Sequence, residues 1–277
     1  FAANHGFWNT TVRAYQAAIE PDHAGFSTGC TKGAYRNPEK CTWNGQAIGQ
    51  PIYLVGDSNA DHFSEGLIRA ASSDSRPLVG LTEDGCSYLH GSLPRDNPGW
   101  EREKRCGPYT DNTEDYLVTA APGLVVIANS YRWFTGNKKS EIRVDVLAAG
   151  LSDSVRRLQE AGHTVLLVQA VPHWGEESES LSWAACSVLD ILTVACGTSM
   201  RMEDVVNRQG AAADVVAAVA QEAGADVLDV SPELCPGGTC SSVTPEGLVR
   251  YRDGTHITVE QSDALAETFT KAIAAAG

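Results

Sequence analysis

A serine, an aspartate and a histidine occupy positions from which they can form a nucleophile and its base. Ser58 follows a Gly-Asp pair directly after the apolar run Ile52–Val55, and Asp253 lies three residues before His256. A carboxylate at that spacing can meet imidazole Nδ1, which leaves Nε2 facing outward as a base. The pattern therefore predicts nucleophilic chemistry at Ser58, with His256 as its base and Asp253 as the residue that orients His256.

Each of these segments also has a simpler structural interpretation. Serine is a preferred helix N-cap, and Ser58 stands at the start of a predicted helix. Asp-Gly is a common surface turn, and the chain has seven histidines, so His256 also fits an incidental residue after such a turn. Taken alone, each segment leaves both interpretations open; taken together, the segments favour one site.

A third polar segment follows the apolar run Leu124–Ala128. The side-chain amide of Asn129 can donate to an oxyanion, although asparagine is also common where a strand ends. Arg132 and Trp133 follow closely, and His173 comes after a later apolar run, so these three residues are candidates for substrate contacts. A surface arginine, a buried tryptophan and a loop histidine are the alternatives.

A further histidine lies one helical turn beyond Ser58. We predict that His62 borders the site without acting as the base. Its only nearby acid is Asp61, which a helix directs to another part of its surface.

Short apolar runs that alternate with amphipathic ones predict an α/β fold. The predicted strands are Ile52–Val55, Pro77–Leu81, Leu124–Ala128, Thr164–Ala170 and Asp226–Val230. The predicted helices are residues 58–73, Asp115–Ala121, Val144–Ala161, Ala211–Ala223 and Val259–Ala275. Strands and helices in this order favour a parallel sheet with helices on both faces. In such sheets, functional groups collect at the carboxyl ends of the strands.

The chain is predicted to have one main domain at residues 51–277. Residues 1–50 are rich in Gly, Asn, Thr and Pro and predict an N-terminal extension that packs on this domain, with a short helix at Val12–Ile19. Within the main domain, residues 82–108 predict a loop and residues 175–208 predict an insertion.

The composition argues against some partners. The chain has 277 residues and a formal net charge of −14. Such a surface repels the phosphates of nucleic acids and of anionic membranes, so we expect no nucleic-acid partner. A neutral substrate such as a sugar fits this charge better. The longest apolar runs have strand length and fall short of the ~20 residues that a membrane helix needs.

The eight cysteines favour an oxidising compartment. Pairing by proximity gives Cys30–Cys41, Cys86–Cys106, Cys186–Cys196 and Cys235–Cys240, although other connectivities are open. Zinc is disfavoured because no CxxC pair and no histidine at zinc-finger spacing occurs, and free cytosolic thiols are the remaining alternative. With no signal peptide at Phe1, we expect a mature or excised extracytoplasmic piece. The sequence predicts no metal and no organic cofactor.

The three polar segments together resemble the sequence blocks of SGNH (GDSL-like) hydrolases. Gly-Asp-Ser ends at Ser58, Asn129 follows a central strand, and Asp-Gly-Thr-His ends at His256. More narrowly, GDSNA with DGTHIT in a cysteine-rich chain is similar to the extracytoplasmic SGNH domain fused to membrane acyltransferases of the acyltransferase-three family. The likeness covers residues 51–277 in layout and is specific at the three blocks.

The chain departs from that pattern at two places. Those domains typically have GDSHA in the first block, and Asn59 stands here in place of the histidine. The usual GxND block reads Ile-Ala-Asn-Ser around Asn129, without its glycine and its aspartate. The second departure also occurs in the acyltransferase-linked branch, so it favours the narrower assignment over a stand-alone lipase or esterase.

The resemblance implies a three-layer α/β/α sandwich with a mostly parallel central sheet, as in flavodoxin-like folds. It implies catalysis by Ser58 with His256 and Asp253. It also implies an oxyanion hole formed by the backbone N–H of Ser58, the side chain of Asn129 and the backbone N–H of a glycine. Gly85 is the preferred glycine.

Gly80, which lies within a predicted strand, is the alternative to Gly85 in this role.

The resemblance also implies an activity: transfer of an acyl group, acetyl in the first place, to a glycan or glycolipid of the cell envelope. The implied partners are the acyl donor, the glycan acceptor and a membrane acyltransferase domain of the same full-length chain. The implied location is outside the plasma membrane. A carbohydrate O-acetylesterase of the same fold and a non-catalytic glycan-binding accessory module are the alternatives.

Overall fold

The computed structural model describes residues 13–90, 100–131, 134, 143–174 and 199–277, without the side chains of residues 100–105. The central strands are β1 (Thr42–Trp43), β2 (Ile52–Gly56), β3 (Leu78–Thr82), β4 (Leu124–Ala128), β5 (Thr164–Val168) and, after β6 (Ser199–Arg201), β7 (Asp226–Leu228). They form one sheet in the order β1-β3-β2-β4-β5-β7. Only β1 pairs antiparallel within it, which confirms the predicted, mostly parallel sheet.

Helices cover both faces of this sheet. They are α1 (Ala24–Thr28), α2 (Ser58–Asp61), α3 (Ser64–Ser73), α4 (Trp100–Thr119), α5 (Val144–Glu160), α6 (Met202–Ala223), α7 (Ser231–Leu234), α8 (Val259–Ala264) and α9 (Ala266–Ala276). Across the described ranges, no helix is both long and apolar enough to span a bilayer.

The strand side chains alternate between two hydrophobic cores, as the period of a strand requires. In β2, Tyr53 and Val55 belong to one core together with residues of α4, α5 and α6. Ile52 and Leu54 belong to the other core together with residues of α3 and α9. Two helix layers therefore enclose the sheet, and the predicted three-layer α/β/α sandwich is confirmed.

The centre of the sheet brings three loops to one edge. Strand β2 lies between β3 and β4, with Gly56 opposite Thr82 and Ala128. Gly56 has a φ of 137°, and a Cβ at this position would lie 1.8 Å from the carbonyl oxygen of Ala128. Only glycine permits that approach. The chain after β2 consequently starts beside the chain after β4, at the carboxyl ends of the strands.

The sequence located every strand from β2 to β5, but it missed part of the helical structure. Helix α4 begins at Trp100 rather than near Asp115, so the last residues of the predicted loop 82–108 are helical. A proline in a helix interior normally argues against a helix, yet α4 runs through Pro108 because its residues Tyr109 and Leu117 are buried in the core.

Three further element boundaries differ from the prediction. The part of the predicted insertion 175–208 that the structure describes forms β6 and the start of α6, which begins at Met202. The predicted helix 58–73 is interrupted between α2 and α3, and the C-terminal helix is interrupted at Leu265. Strand β6 pairs antiparallel with β8 (Thr239–Ser241) in a separate small sheet, which single-sequence periodicity did not indicate.

The N-terminal region makes regular contacts with the rest of the chain. Residues 13–19 are helical, and β1 extends the sheet through its antiparallel pairing with β3. The division of the chain into an extension at residues 1–50 and a domain at residues 51–277 stays a prediction.

Three of the four predicted disulfides are present. They are Cys30–Cys41, Cys86–Cys106 and Cys235–Cys240. The fourth predicted pair, Cys186–Cys196, lies outside the described residues. The first disulfide closes the segment that precedes β1, and the second joins the loop after β3 to α4. Covalent cross-links thus hold two of the segments around the carboxyl edge of the sheet.

Candidate active site

Ser58 is the first residue of α2, directly after the turn that follows β2. The N-cap of this helix is Asp57, whose Oδ1 accepts a hydrogen bond of 2.8 Å from the backbone N–H of Asn59. The capping role that sequence reasoning considered for Ser58 therefore belongs to its neighbour. The Ser58 hydroxyl instead lies 2.8 Å from Nε2 of His256.

His256 is held in that position by Asp253. Its Nδ1 lies 2.8 Å from Oδ2 and 3.0 Å from Oδ1 of the carboxylate. The backbone N–H groups of Thr255 and His256 also donate to Oδ1, at 2.8 and 2.9 Å. An antiparallel bridge between Tyr251 and Ile257 closes the hairpin that carries both residues. The fold-back predicted from the three-residue spacing is present.

The Asp253 carboxylate is stabilised in its charged form. Burial raises its pKa, but the hydrogen bond and charge of His256, with the two backbone donors, outweigh burial and lower the pKa to about 2. Asp253 is therefore ionised at neutral pH. Because a carboxylate accepts at Nδ1, His256 carries its Nδ1 proton there and presents Nε2 to Ser58.

A second carboxylate links the nucleophile to the chain after β4. Asp57 is buried, and its Oδ2 accepts a hydrogen bond of 3.0 Å from the backbone N–H of Ser130. Burial raises the pKa of Asp57 above its ordinary value, and the hydrogen bonds from Ser130 and Asn59 offset only part of that rise. Sequence reasoning gave Asp57 no role, although an aspartate directly before a helix is a recognised N-cap signal.

Asn129 lies next to this link, at the end of β4. Its Oδ1 accepts a hydrogen bond of 2.9 Å from the backbone N–H of Tyr88. Its Nδ2 is buried and makes no hydrogen bond of normal geometry to the described residues, although it is close enough to the Tyr131 hydroxyl to oppose the rise in the pKa of Tyr131 that burial causes. A buried amide donor without a protein acceptor is unusual, and it fits the predicted role of donating to an oxyanion.

The loop after β3 contributes the candidate glycine of the oxyanion hole. Gly85 lies in the turn after this strand with a φ of 70°, and the Asn129–Tyr88 hydrogen bond joins its loop to the end of β4. Gly80 lies inside β3 and packs closely on the ring of Trp43, where a Cβ would come within 2.9 Å. Gly80 therefore serves close packing, and Gly85 stays the candidate for the oxyanion hole.

Of the candidate substrate contacts, only His173 lies in the described part of the chain. It is buried after β5, with its Nε2 3.3 Å from Oδ1 of Asn59, the residue after the nucleophile. Its backbone N–H donates to Oε1 of Gln209 on α6 at 2.8 Å. His173 is thus next to the site, and its contact with substrate stays a prediction. Arg132 and Trp133 lie outside the described residues.

His62 is buried beside His256, and it is His256 rather than His62 that contacts the Ser58 hydroxyl. Its ring centroid lies 6.0 Å from that of His256. Neither ring nitrogen has a hydrogen-bond partner in the described ranges. Burial lowers its pKa well below the ordinary value, and the charges of neighbouring histidines add to the effect. His62 therefore stays neutral at the border of the site.

These contacts form one hydrogen-bonded series from the hydroxyl of Ser58 through His256 to the carboxylate of Asp253. Such a series is suited to remove a proton from the serine as it attacks an acyl carbon. Asn129 and the loop of Gly85 stand beside it. The contacts of Ser58, His256 and Asp253 agree with the sequence motifs, and the catalytic roles of these residues, of Asn129 and of Gly85 stay predictions.

Comparison with protein families gives a match over residues 28–271, to the family described as "SGNH domain (fused to AT3 domains)". The chain belongs to this family. The family resemblance that three short blocks of the sequence indicated is thereby confirmed, and the match covers most of the chain. No curated protein matches the chain.

Solved structures share the SGNH fold. The periplasmic domain of the lipopolysaccharide acetyltransferase of Salmonella ser. Paratyphi A is 15% identical, with a TM-score of 0.62 over 98% of this chain and 96% of that one. A protein classed as an SGNH hydrolase, from Slackia heliotrinireducens, is 15% identical, with a TM-score of 0.48 over 82% of this chain and 100% of that one. At 15% identity, the likeness to the Salmonella domain shows the fold alone.

The amide of Asn129 provides a prediction for this SGNH domain. Asn129→Asp keeps an oxygen for the N–H of Tyr88 and replaces the Nδ2 donor with a second acceptor. We expect kcat for p-nitrophenyl acetate to fall about 10²- to 10³-fold, the usual effect of losing one oxyanion donor. Steady-state kinetics with a KM within about twofold of the parent would attribute the loss to the transition state. Parent-like kcat in this variant would exclude Asn129 from the oxyanion hole.

Proposed function

We propose that this chain is an extracytoplasmic serine enzyme that transfers an acyl group, acetyl in the first place, to a glycan or glycolipid of the cell envelope. The hydrogen bond of 2.8 Å between Ser58 Oγ and His256 Nε2 carries the proposal, because it couples a hydroxyl to a base that Asp253 already orients. Ser58 then forms the acyl-enzyme intermediate.

In the first half of the reaction, Ser58 Oγ attacks the carbonyl carbon of the donor ester. His256 Nε2 takes the hydroxyl proton as the new C–O bond forms, and Asp253 stabilises the imidazolium. The carbonyl oxygen becomes an oxyanion that the Ser58 N–H, the Asn129 amide and the Gly85 N–H are proposed to bind. When the tetrahedral intermediate collapses, the proton passes from His256 to the leaving oxygen and the acyl-enzyme remains.

In the second half, a sugar hydroxyl replaces the departed donor. His256 takes its proton while its oxygen attacks the acyl carbon, and the bond to Ser58 Oγ breaks as the proton returns to Ser58. Attack by water in place of the sugar gives an esterase. The two activities share every protein group, so the acceptor that reaches the acyl-enzyme decides between them.

The family assignment supports the cell-envelope setting. Its members are SGNH domains fused to AT3 domains, and we propose a membrane acyltransferase domain as a partner in the full-length protein. The Salmonella domain of the same fold is periplasmic and belongs to a lipopolysaccharide acetyltransferase. Disulfides, which persist in oxidising compartments, support a location outside the cytoplasm.

The experiment incubates the purified domain with p-nitrophenyl acetate, alone and with a panel of cell-envelope saccharides. In parallel, the domain is treated with a fluorophosphonate, and the modified residue is located by mass spectrometry. We expect a label on Ser58 and nitrophenol release that one class of saccharide accelerates, with acetylated saccharide as the product.

The outcomes separate the alternatives. Label on Ser58 with release that no saccharide changes would replace the transferase with an esterase. Absence of both label and release, with glycan binding retained, would replace the enzyme with a binding module.

A further inference from the structure

A histidine from the N-terminal region contacts both halves of the proposed active site. His23 is buried, with 4% of its surface exposed. Its Nδ1 lies 2.6 Å from Oε2 of Glu65, which belongs to α3 behind the nucleophile. Its Nε2 lies 3.0 Å from the backbone oxygen of Ile257, the residue after His256. One side chain thus bridges two elements that are far apart in sequence.

Both neighbours of the His23 ring are oxygen acceptors. The carbonyl oxygen of Ile257 only accepts, so Nε2 must carry a proton. On the other side, Nδ1 faces Oε2 of Glu65, whose Oε1 accepts a bond of 2.8 Å from the backbone N–H of Ala24. A neutral imidazole has one donor, whereas the imidazolium has two. The geometry therefore fits an imidazolium at His23, which can donate to both Ile257 and Glu65.

The segment that carries His23 is fastened to the nucleophile side at several points. Besides the Ala24 bond, the backbone N–H of Phe26 donates to Oδ2 of Asp61 on α2, at 3.1 Å. Gly25 lies so close that a Cβ there would be 2.0 Å from Oδ1 of the same carboxylate. Helix α1 consequently sits directly against α2, whose first residue is Ser58.

The same segment also reaches the hairpin of the base. Asp22 lies 3.3 Å from Nη2 of Arg252, which is adjacent to Asp253 in the chain. The bond from His23 to the Ile257 carbonyl is made on the following strand of that hairpin, and it is buried. Two contacts on either side of His256 therefore fix the hairpin against the N-terminal segment.

The charges around His23 favour the imidazolium. Burial lowers its pKa, but the hydrogen bond and charge of Glu65, the carbonyl of Ile257 and the charge of Asp61 outweigh burial, so that the pKa is raised above 6.5. The ring of His62 also neighbours His23, with 6.3 Å between the two ring centroids. The same His62 ring lies 6.0 Å from the ring of His256. Asp22 and Arg252 form the exposed ion pair at the rim.

We propose that His23 is a positioning residue of the active site, and that its imidazolium ties the hairpin of His256 to the helices that carry Ser58. The proposal rests on the proposed function of Ser58 and His256, and it adds the side chain of His23 to the groups that position them. Since the folded pKa is raised, the stability that protonation of His23 contributes is fully present below pH 6.5 and is lost as pH rises through the folded pKa.

The first test is independent of turnover. The domain is labelled with ¹⁵N-histidine, and the ring nitrogens are followed by NMR as pH rises. We expect His23 to show both nitrogens protonated at pH 6, with deprotonation at a higher pH than a free histidine. A neutral His23 ring at pH 6 would overturn the proposal, whether or not the domain turns over p-nitrophenyl acetate.

The second test uses two near-isosteric variants. Asparagine places its amide nitrogen near the position of Nδ1, and glutamine places it near Nε2. His23→Asn should keep the bond to Glu65 and lose the donor to Ile257, whereas His23→Gln should keep the latter. We expect about a tenfold fall in kcat for His23→Asn at unchanged KM, and a smaller fall for His23→Gln.

The variants of His23 are compared with a control variant of Ser27. Ser27→Ala changes an exposed side chain of α1, the helix that His23 directly precedes, and should leave kcat at the parent value. The downfield Nδ1 proton signal of His256 reports the hairpin geometry directly and should weaken in His23→Asn even if the parent shows no turnover. Equal kcat and an unchanged His256 signal in all three variants would reduce His23 to a structural contact.

Discussion

Replacing Ser58 with alanine is expected to lower kcat for p-nitrophenyl acetate at least about 10⁴-fold, toward the rate without enzyme. The hydroxyl is the only atom group removed, and it is the one that His256 Nε2 contacts at 2.8 Å. Without it no acyl-enzyme forms, and the remaining donors cannot replace the covalent step. Steady-state kinetics, corrected for spontaneous hydrolysis, give the measurement.

Ser72→Ala is the matched control for that experiment. Ser72 is an exposed serine near the end of α3, so its replacement should change neither kcat nor the unfolding midpoint. If Ser58→Ala kept turnover within about tenfold of the parent, the nucleophile would lie elsewhere and the proposed mechanism would fail.

Asp253→Asn is expected to lower kcat about 10⁴-fold, because an amide nitrogen toward His256 Nδ1 would favour the tautomer with its proton on Nε2. The backbone donors of Thr255 and His256 would still have one oxygen to bind. The hairpin should therefore keep its shape while His256 is held in a tautomer whose Nε2 cannot accept the serine proton. Asp226→Asn, which changes an exposed carboxylate on β7, is the control and should stay at the parent rate.

The charge of Asp253 should also make the stability of the parent domain depend on pH. The folded pKa of Asp253 is lowered to about 2 from 3.8. Its ionised form therefore contributes stability that is present above pH 3.8 and is lost as pH falls toward 2. Thermal unfolding of the parent between pH 5 and pH 2 should lose this contribution, and Asp253→Asn should lack it. An identical pH dependence in parent and variant would contradict the assigned charge.

Much of the fold was predictable because the information is local. Buried strands at Leu124–Ala128 and Thr164–Val168 are continuous apolar runs, and their ends determine where Asn129 and His173 lie. The pairing of Asp253 with His256 spans three residues of one hairpin. Such short-range patterns specify both the elements and the edge of the sheet at which the site forms.

The features that escaped prediction depend on contacts between distant segments. Helix α4 continues through Pro108 because the core buries its face, which overrides a local preference. In the sequence, nothing distinguishes His23 from an ordinary loop residue. Its contacts with Glu65 and Ile257 form only in the folded chain, between segments that are distant in sequence. Asp57 is a recognisable cap, but its bond to Ser130 requires β2 and β4 to be neighbours.

The strand order places the proposed nucleophile and its base far apart along the chain. Ser58 and His256 are 198 residues apart in sequence, and the parallel strands between them can pair only after each helical crossover has closed. Contacts of such long range form slowly and late in folding. The proposed activity consequently requires the chain from Ser58 through His256 to be synthesised and folded, so a growing or truncated chain that ends before His256 would lack the proposed base.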